Sequence, residues 1–411
     1  MNLYFAILTS CILFLIVATQ YQKRSYWVLG SIALLAHLIV GLVIVPQLPY
    51  GWDIGNFHDA AMALLQGGFP EASSTVSAYG TFQAVLYLIF EPRVEVMTAV
   101  SSLFAVLLPI PACYLAAKLY PSAVQSTRGL LALILFIPTP FLFMTLPMRE
   151  SFSVFVGFMI VAMIVYAYDN REVWPVVLAL PAFGMLFLVR PELALIIAAG
   201  GISGAVVFTL NTIFKRQFSL RTISMAVAPV GLLGVIVGSR VFPFERLAAE
   251  ASWRAQGGAA YLDWMQYETP FDMLLVAPTR AIFFQFTPFP LQVESAFHAL
   301  PLLTLPLLIL CTVGAYRSFM TCRIDTVVAT TLLAVYFGGI VGYGIVNSNF
   351  GTGVRHRIMF TYLLLVFAAP VIERWELSLT NRLGIGEEDD RNEREQSEEA
   401  QKLDRGVDIS S

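Results

Sequence analysis

Eleven times along this chain an apolar run of 16 to 23 residues recurs with almost no charge inside it: 3–18, 26–46, 95–117, 129–147, 152–168, 174–189, 193–213, 222–240, 298–315, 325–345 and 358–373. Runs of this length match the roughly 20 residues a helix needs to cross ~30 Å of hydrocarbon. In lipid every backbone polar group must be satisfied internally, so only helices or closed barrels cross it. Continuous apolar runs, rather than segments of about ten alternating residues, select helices. Composition agrees: 13% of the residues are charged, against about 25% in soluble domains. The sequence therefore predicts an all-α polytopic membrane protein with about eleven transmembrane helices. Two shorter runs, 57–66 and 80–90, fall below spanning length and are predicted as interfacial helices within one long loop, 47–94.

The distribution of cations predicts sidedness. Five alternate short connections, 19–25, 118–128, 169–173, 214–221 and 316–323, carry ten Lys or Arg. The positive-inside rule places them in the cytoplasm, and they alternate perfectly if the N-terminus lies outside. If 80–90 also crossed, the basic connection 118–128 would move outside. The expected organisation is two N-terminal helices in 1–46, an outer loop in 47–94, central helices in 95–240, a second outer loop in 241–297, C-terminal helices in 298–376 and a cytoplasmic tail in 377–411. All four lysines fall on the inner side, whereas nine arginines and no lysine fall on the outer side. Arginine alone suggests planar, multidentate recognition of phosphate or carboxylate.

Residues 387–411 hold ten acidic and four basic side chains and few large apolar ones, the composition of a disordered segment. That acidity argues against a nucleic-acid partner. The first twenty residues lack a basic start and a small-residue cleavage pattern, so they read as a membrane helix rather than a signal peptide. Cys11, Cys113, Cys311 and Cys322 lack paired spacing and read as small apolar residues. Residues 243–255 are expected as a surface helix, and Phe286–Pro290 as a rigid cover over the bundle.

Candidate chemistry gathers on the predicted outer side. In 51-GWDIGNFHDA-60 the apolar residues from Phe57 onward have helical spacing, and Asn56 with Asp59 resembles a capping box. That explains Asp59 and leaves Asp53 without a structural role, at the mouth of helix 26–46. His58 is open between a solvated residue, a second base and a metal ligand beside Asp53. A divalent metal is thus compatible with the sequence, although no ligand set or other cofactor is specified. Arg149-Glu150 follows Pro147 at a helix end, either as a structural pair or as part of a site. Arg190-Pro191-Glu192 forms a minimal turn, either paired within itself or turned toward a ligand. Arg355 and Arg357 follow a glycine-rich turn at the start of a helix, where they either anchor it at the interface or clamp an anion with the help of backbone N–H groups. His37, within helix 26–46, reads as a packed helix residue.

These residues occur in an order that resembles the GT-C superfamily of polytopic glycosyltransferases. The match consists of Trp52-Asp53, then 60-AAMALLQGGFP-70, then 79-YGTFQAVLYLIF-90, the basic turn Lys118-Leu119-Tyr120-Pro121, and Pro147-Met148-Arg149-Glu150. It covers residues 26–170. The chain departs from the family in carrying an extra leading helix, in lacking an acidic doublet at Asp53, and in lacking a sizeable soluble C-terminal domain. The resemblance implies transfer of a sugar from a polyprenyl- or dolichyl-type phosphate donor to a glycan, lipid or protein acceptor on the extracytoplasmic face of the cell membrane. Asp53 is then the expected base, with His58, Asp59, Glu150 and Glu192 in supporting positions. Arg149, Arg190, Arg355 and Arg357 are the expected lipid-phosphate ligands. Two alternatives stand beside this: a polymerase or ligase of lipid-linked glycans, and a flippase or transporter of an anionic lipid.

Overall fold

The computed structural model describes residues 2–48, 51, 53–216, 218–219, 245, 248–249, 260–262, 264–265, 267–293 and 296–383. Its named elements are all helices: α1 (Asn2–Tyr21), α2 (Arg24–Ile39, continued by a wider turn and a short tight one to Gln47), α3 (Ile54–Leu65), α4 (Ser74–Ile89), α5 (Val94–Leu107), α6 (Pro109–Leu119), α7 (Arg128–Phe136), α8 (Pro138–Thr145), α9 (Arg149–Asn170), α10 (Trp174–Val189) and α11 (Pro191–Ile213). The second half supplies α12 (Pro270–Phe286), α13 (Ala296–Thr321), α14 (Thr326–Val346), α15 (Phe350–His356) and α16 (Ile358–Leu383).

Among the described residues, eight helical segments are long and apolar enough to cross a membrane, and nine if α7 and α8 form one broken span. The chain is thus an all-α, multi-pass membrane protein. The predicted figure of eleven would need two more: α10, an apolar helix of only 16 residues, and the run 222–240, which lies outside the described residues. The surface helix expected at 243–255 is likewise outside them, apart from Glu245, Ala248 and Ala249.

Prolines account for the breaks. Pro138 removes a backbone donor and excludes the preceding residue from the helical region. Ile137 is accordingly extended at φ −60°, ψ 123°, and α7 and α8 meet at 60°. The predicted single span 129–147 is therefore two short helices.

Three further departures concern the loops. The helix near Asp53 starts at Ile54, with Asp53 at the N-cap position. Asn56 and Asp59 therefore lie inside α3, and the capping box expected for them is not formed. Within the predicted loop 241–297 stands α12, opened by a capping box between Thr269 and Asp272. α16 continues to Leu383, so residues 377–383 are helix rather than tail.

The loops sort to two ends of the bundle. At one end Lys23 donates to Thr127 Oγ1 at 3.2 Å, Lys118 pairs with Asp169 at 2.5 Å, and Asp325 N donates to Leu119 O at 3.1 Å. The Glu373 carboxylate accepts from the backbone N–H groups of Gln125 and Ser126, and Glu376 accepts from that of Gly129. These carboxylates satisfy the free donors at the start of α7. The opposite end holds the starts of α3, α9, α11 and α16. The core between them is continuous, from Phe14 and Tyr26 through Val96, Leu131 and Phe158 to Phe360 and Leu365.

Candidate functional site

Four short pieces of chain meet where helices end. Pro147 precedes Met148, whose extended backbone (φ −127°, ψ 171°) turns into α9. Arg149 and Glu150 thereby occupy the first turn of α9, where a carboxylate also favours the positive end of the helix dipole. Pro191, at the first position of α11, holds Arg190 at φ −147°, ψ 75°, between two helices. Asn349 caps α15 by accepting from Thr352 N, and this places Arg355 in the last turn of that short helix. Asp53 caps α3 by position only; its carboxylate makes no capping bond and is directed elsewhere.

It is directed at Arg355. Asp53 Oδ2 lies 2.6 Å from Arg355 Nη1, and Arg355 Nε lies 3.0 Å from Glu150 Oε1. The same Glu150 oxygen accepts from Arg190 Nη2 at 2.5 Å. One connected chain of charges, Asp53–Arg355–Glu150–Arg190, therefore joins four elements. Its two ends differ in environment: the Glu150 and Arg190 side chains are 1% and 2% exposed, Arg355 13% and Asp53 42%. A buried ion pair must overcome the loss of hydration. Burial opposes the charged form of Arg190 most strongly, but Glu150, Tyr343 and Glu192 together outweigh it and hold the guanidinium above its ordinary value.

The cluster retains unused bonding capacity. Among the described residues, Glu150 Oε2, Arg149 Nε and Arg190 Nε have no hydrogen-bond partner despite being buried. Arg149 donates to Val189 O at 3.2 Å and lies over the Phe57 ring at 5.9 Å. Tyr79 of α4 donates to Met148 O at 2.9 Å and so fixes the turn that presents Arg149 and Glu150.

The remaining predicted residues fall outside this chain. Arg357 does not clamp an anion beside Arg355. It is buried and donates to the carbonyls of Phe284, at 3.4 Å, and Thr287. Burial pushes its guanidinium down to about 10, so it stays charged at neutral pH. Glu192 is exposed and accepts from Tyr343 OH at 3.1 Å, while Arg190 pairs with Glu150 instead of with Glu192. His58 faces α4 and shares a 2.8 Å hydrogen bond with Tyr87 OH, away from Asp53. Asp59 is exposed on the rim of a shallow cleft with Asn56, Glu71 and Ser73. Among the described residues, no three His, Cys, Asp or Glu side chains come together to hold a metal ion. His37 is packed as expected, stacked on Phe141 at 4.0 Å with Nδ1 2.5 Å from Thr145 Oγ1.

Two contributors stand outside the candidates that the sequence singles out. Tyr343, in the last turn of α14, reaches Glu192 and stacks its ring on Phe284 at 5.8 Å. Arg280 of α12 donates to Ile345 O at 3.1 Å, Ser348 Oγ at 3.0 Å and Met265 O at 2.8 Å, locking the turn that leads to α15. Its signal was a lone arginine within an apolar stretch, a residue type that seldom enters a membrane without a partner.

A carboxylate on the exposed edge of a guanidinium cluster can take a proton, and the guanidiniums behind it can hold an anion. No family model matches the chain, and no curated protein or solved structure matches it either.

Proposed function

We propose that the chain is a membrane glycosyltransferase of the GT-C type. It moves a sugar from a polyprenyl- or dolichyl-phosphate donor to an acceptor on the extracytoplasmic face of the cell membrane. The observation that carries this reading is the chain Asp53–Arg355–Glu150–Arg190, which gathers an exposed carboxylate and a set of guanidiniums from four separate elements at one end of the bundle. The proposed topology has eleven spans, with that end outside and the acidic tail in the cytoplasm.

In this reading Asp53 accepts the proton of the acceptor hydroxyl as its oxygen bonds to the anomeric carbon. The bond from that carbon to the phosphate oxygen breaks, and the departing phosphate keeps the electron pair. Its growing charge is met by Arg355, with Arg149 and Arg190 behind it. General base catalysis and preorganised stabilisation of the leaving group are the two contributions this step needs. Arg357, committed to carbonyls of α12, serves the scaffold. Glu150 holds Arg190 and Arg355 in position between them.

The test is binding of polyprenyl monophosphate to the purified protein, followed by thermal unfolding. The expected result is stabilisation of the wild type that is lost in Arg355→Glu. Absence of stabilisation, or equal stabilisation of Arg355→Glu, overturns the reading.

A further inference from the structure

A second feature shares no residue with the charged cluster. α12, α13, α14 and α16 enclose a cleft of about 640 Å³, within the ~300–1,000 Å³ range of ligand pockets. Its walls are almost entirely apolar: Tyr336, Leu364, Phe319 and Phe367 line it, the last two with ring centroids 5.5 Å apart. Besides the hydroxyls of Thr312, Tyr316 and Tyr336, one wall residue is strongly polar. Gln285 is 1% exposed, and among the described residues neither its Oε1 nor its Nε2 has a hydrogen-bond partner. A buried amide left unpaired costs roughly 1–3 kcal/mol on protein scales, so such groups call for a partner.

The depth of Gln285 is fixed by its neighbours. Arg357, just before α16, donates to the carbonyls of Phe284 and Thr287, which bracket Gln285 on either side. Gln285 therefore sits near the level where α16 begins. Leu364 and Phe367 lie seven and ten residues on from Arg357, roughly 10 and 15 Å deeper at 1.5 Å per residue. The cleft thus has a polar group near the end of the span and hydrocarbon walls further in. An acyl chain joined to a head group through a polar linkage has the same gradient. A plain isoprenoid chain carries nothing that would meet the amide.

The unpaired amide offers both a donor and an acceptor. We propose that the cleft is a lipid site for an amide-linked acyl chain. The lipid's carbonyl accepts from Gln285 Nε2, its N–H donates to Gln285 Oε1, and its hydrocarbon runs inward past Leu364 to Phe319 and Phe367. This site is separate from the proposed sugar-transfer site, and each stands or falls without the other.

The experiment uses the purified full chain and a phosphocholine amphiphile whose hexadecyl chain carries a photoactivatable diazirine. Crosslinked peptides are mapped by mass spectrometry in competition with three unlabelled analogues that differ only in an amide, ester or ether linkage. Labelling is expected on α12, α14 and α16. The amide analogue should compete about 5- to 100-fold better than the ether, the worth of two hydrogen bonds, with the ester, which has the carbonyl but no N–H, between them. In Gln285→Leu the three should converge. The linkage series on the wild type is decisive even if that variant fails to fold. Equal competition by the three, labelling that avoids the cleft, or tighter competition by polyprenyl monophosphate than by the amide overturns the proposal.

Discussion

Asp53 and Arg355 are 302 positions apart in the chain and 2.6 Å apart in space. The contact ties the start of α3 to the last turn of α15, and through Glu150 it reaches the first turn of α9. Asp53 is the most exposed member of this network, and its carboxylate has given up a capping role to join it. An N-cap aspartate normally accepts from the helix's own N–H groups, and losing such a bond typically costs about 1 kcal/mol. Here that bond is not made, so the helix loses little when the carboxylate is removed.

Asp53→Asn should therefore leave the protein folded and stop the proposed chemistry. The amide keeps the shape and cannot accept the proton. Transfer from a polyprenyl-phosphate sugar in reconstituted vesicles should fall by about 10²–10⁴, the usual contribution of a general base. Binding of polyprenyl monophosphate should persist. Full activity in Asp53→Asn would remove the base assignment and leave the anion site standing.

Glu150→Gln should act on stability. It leaves the Arg190 guanidinium, 2% exposed, without its carboxylate. Breaking one side of a buried pair costs about 3–5 kcal/mol, so the melting temperature in detergent should drop sharply. Replacing both partners, with Glu150→Gln and Arg190→Met, should cost less than Glu150→Gln alone. If the double variant is no better than the single one, the two residues are not coupled.

Arg355 and Arg357 should separate cleanly although they are two positions apart. Arg357→Ala removes donors to the Phe284 and Thr287 carbonyls and should lower thermal stability, with little change in polyprenyl monophosphate affinity per folded molecule. Arg355→Ala should weaken that affinity by about tenfold or more, as loss of a charge-assisted bond of roughly 1.5–3 kcal/mol does, with a smaller effect on melting. Titration of the two variants side by side reads both quantities, and the reverse pattern would exchange their roles.

What was legible in the sequence follows from what each signal depends on. Hydropathy runs depend on neighbouring residues alone, so membrane-spanning helices were legible, eight or nine of them among the described residues, and the basic connections 19–25, 118–128 and 169–173 do meet at one end of the bundle. Asp53, Glu150, Arg190 and Arg355 stood out because each is a charge next to a span on the predicted lysine-free side, and the structure brings the four together. Their pairing was not legible: Arg190 has Glu192 two residues away and yet bonds Glu150, 40 positions distant. The same limit explains Arg357, whose side chain is claimed by carbonyls of α12, a helix not anticipated. The signal for α12 was present in Thr269-Pro270-Phe271-Asp272, a capping box with proline at the first position, but aromatic residues around it resembled a lid. Asn56 with Asp59 imitated the same motif inside a helix that had already begun.

Helix packing supplies the last prediction. Gly200 and Gly204 of α11 lie against α14, and small residues four apart allow two membrane helices to approach closely. A Cβ on Gly204 would overlap Thr331 Oγ1; one on Gly200 would overlap Val335 Cγ2 and come within 2.9 Å of the Thr331 carbonyl oxygen. The backbone oxygen cannot rotate away, so the helices must separate. α11 begins directly after Arg190, and α14 ends eight residues before Val354, which precedes Arg355. The spacing of these two helices therefore sets the distance between Arg190 and the Arg355 turn. Gly200→Val should lower stability by about 1–3 kcal/mol, the usual cost of overpacking, and should also weaken polyprenyl monophosphate binding although position 200 touches no charged residue. Gly342→Ala on α14, where nothing lies within 4 Å of the added carbon, should change neither. Equal effects from the two substitutions would show that α11 and α14 do not set the geometry of the cluster.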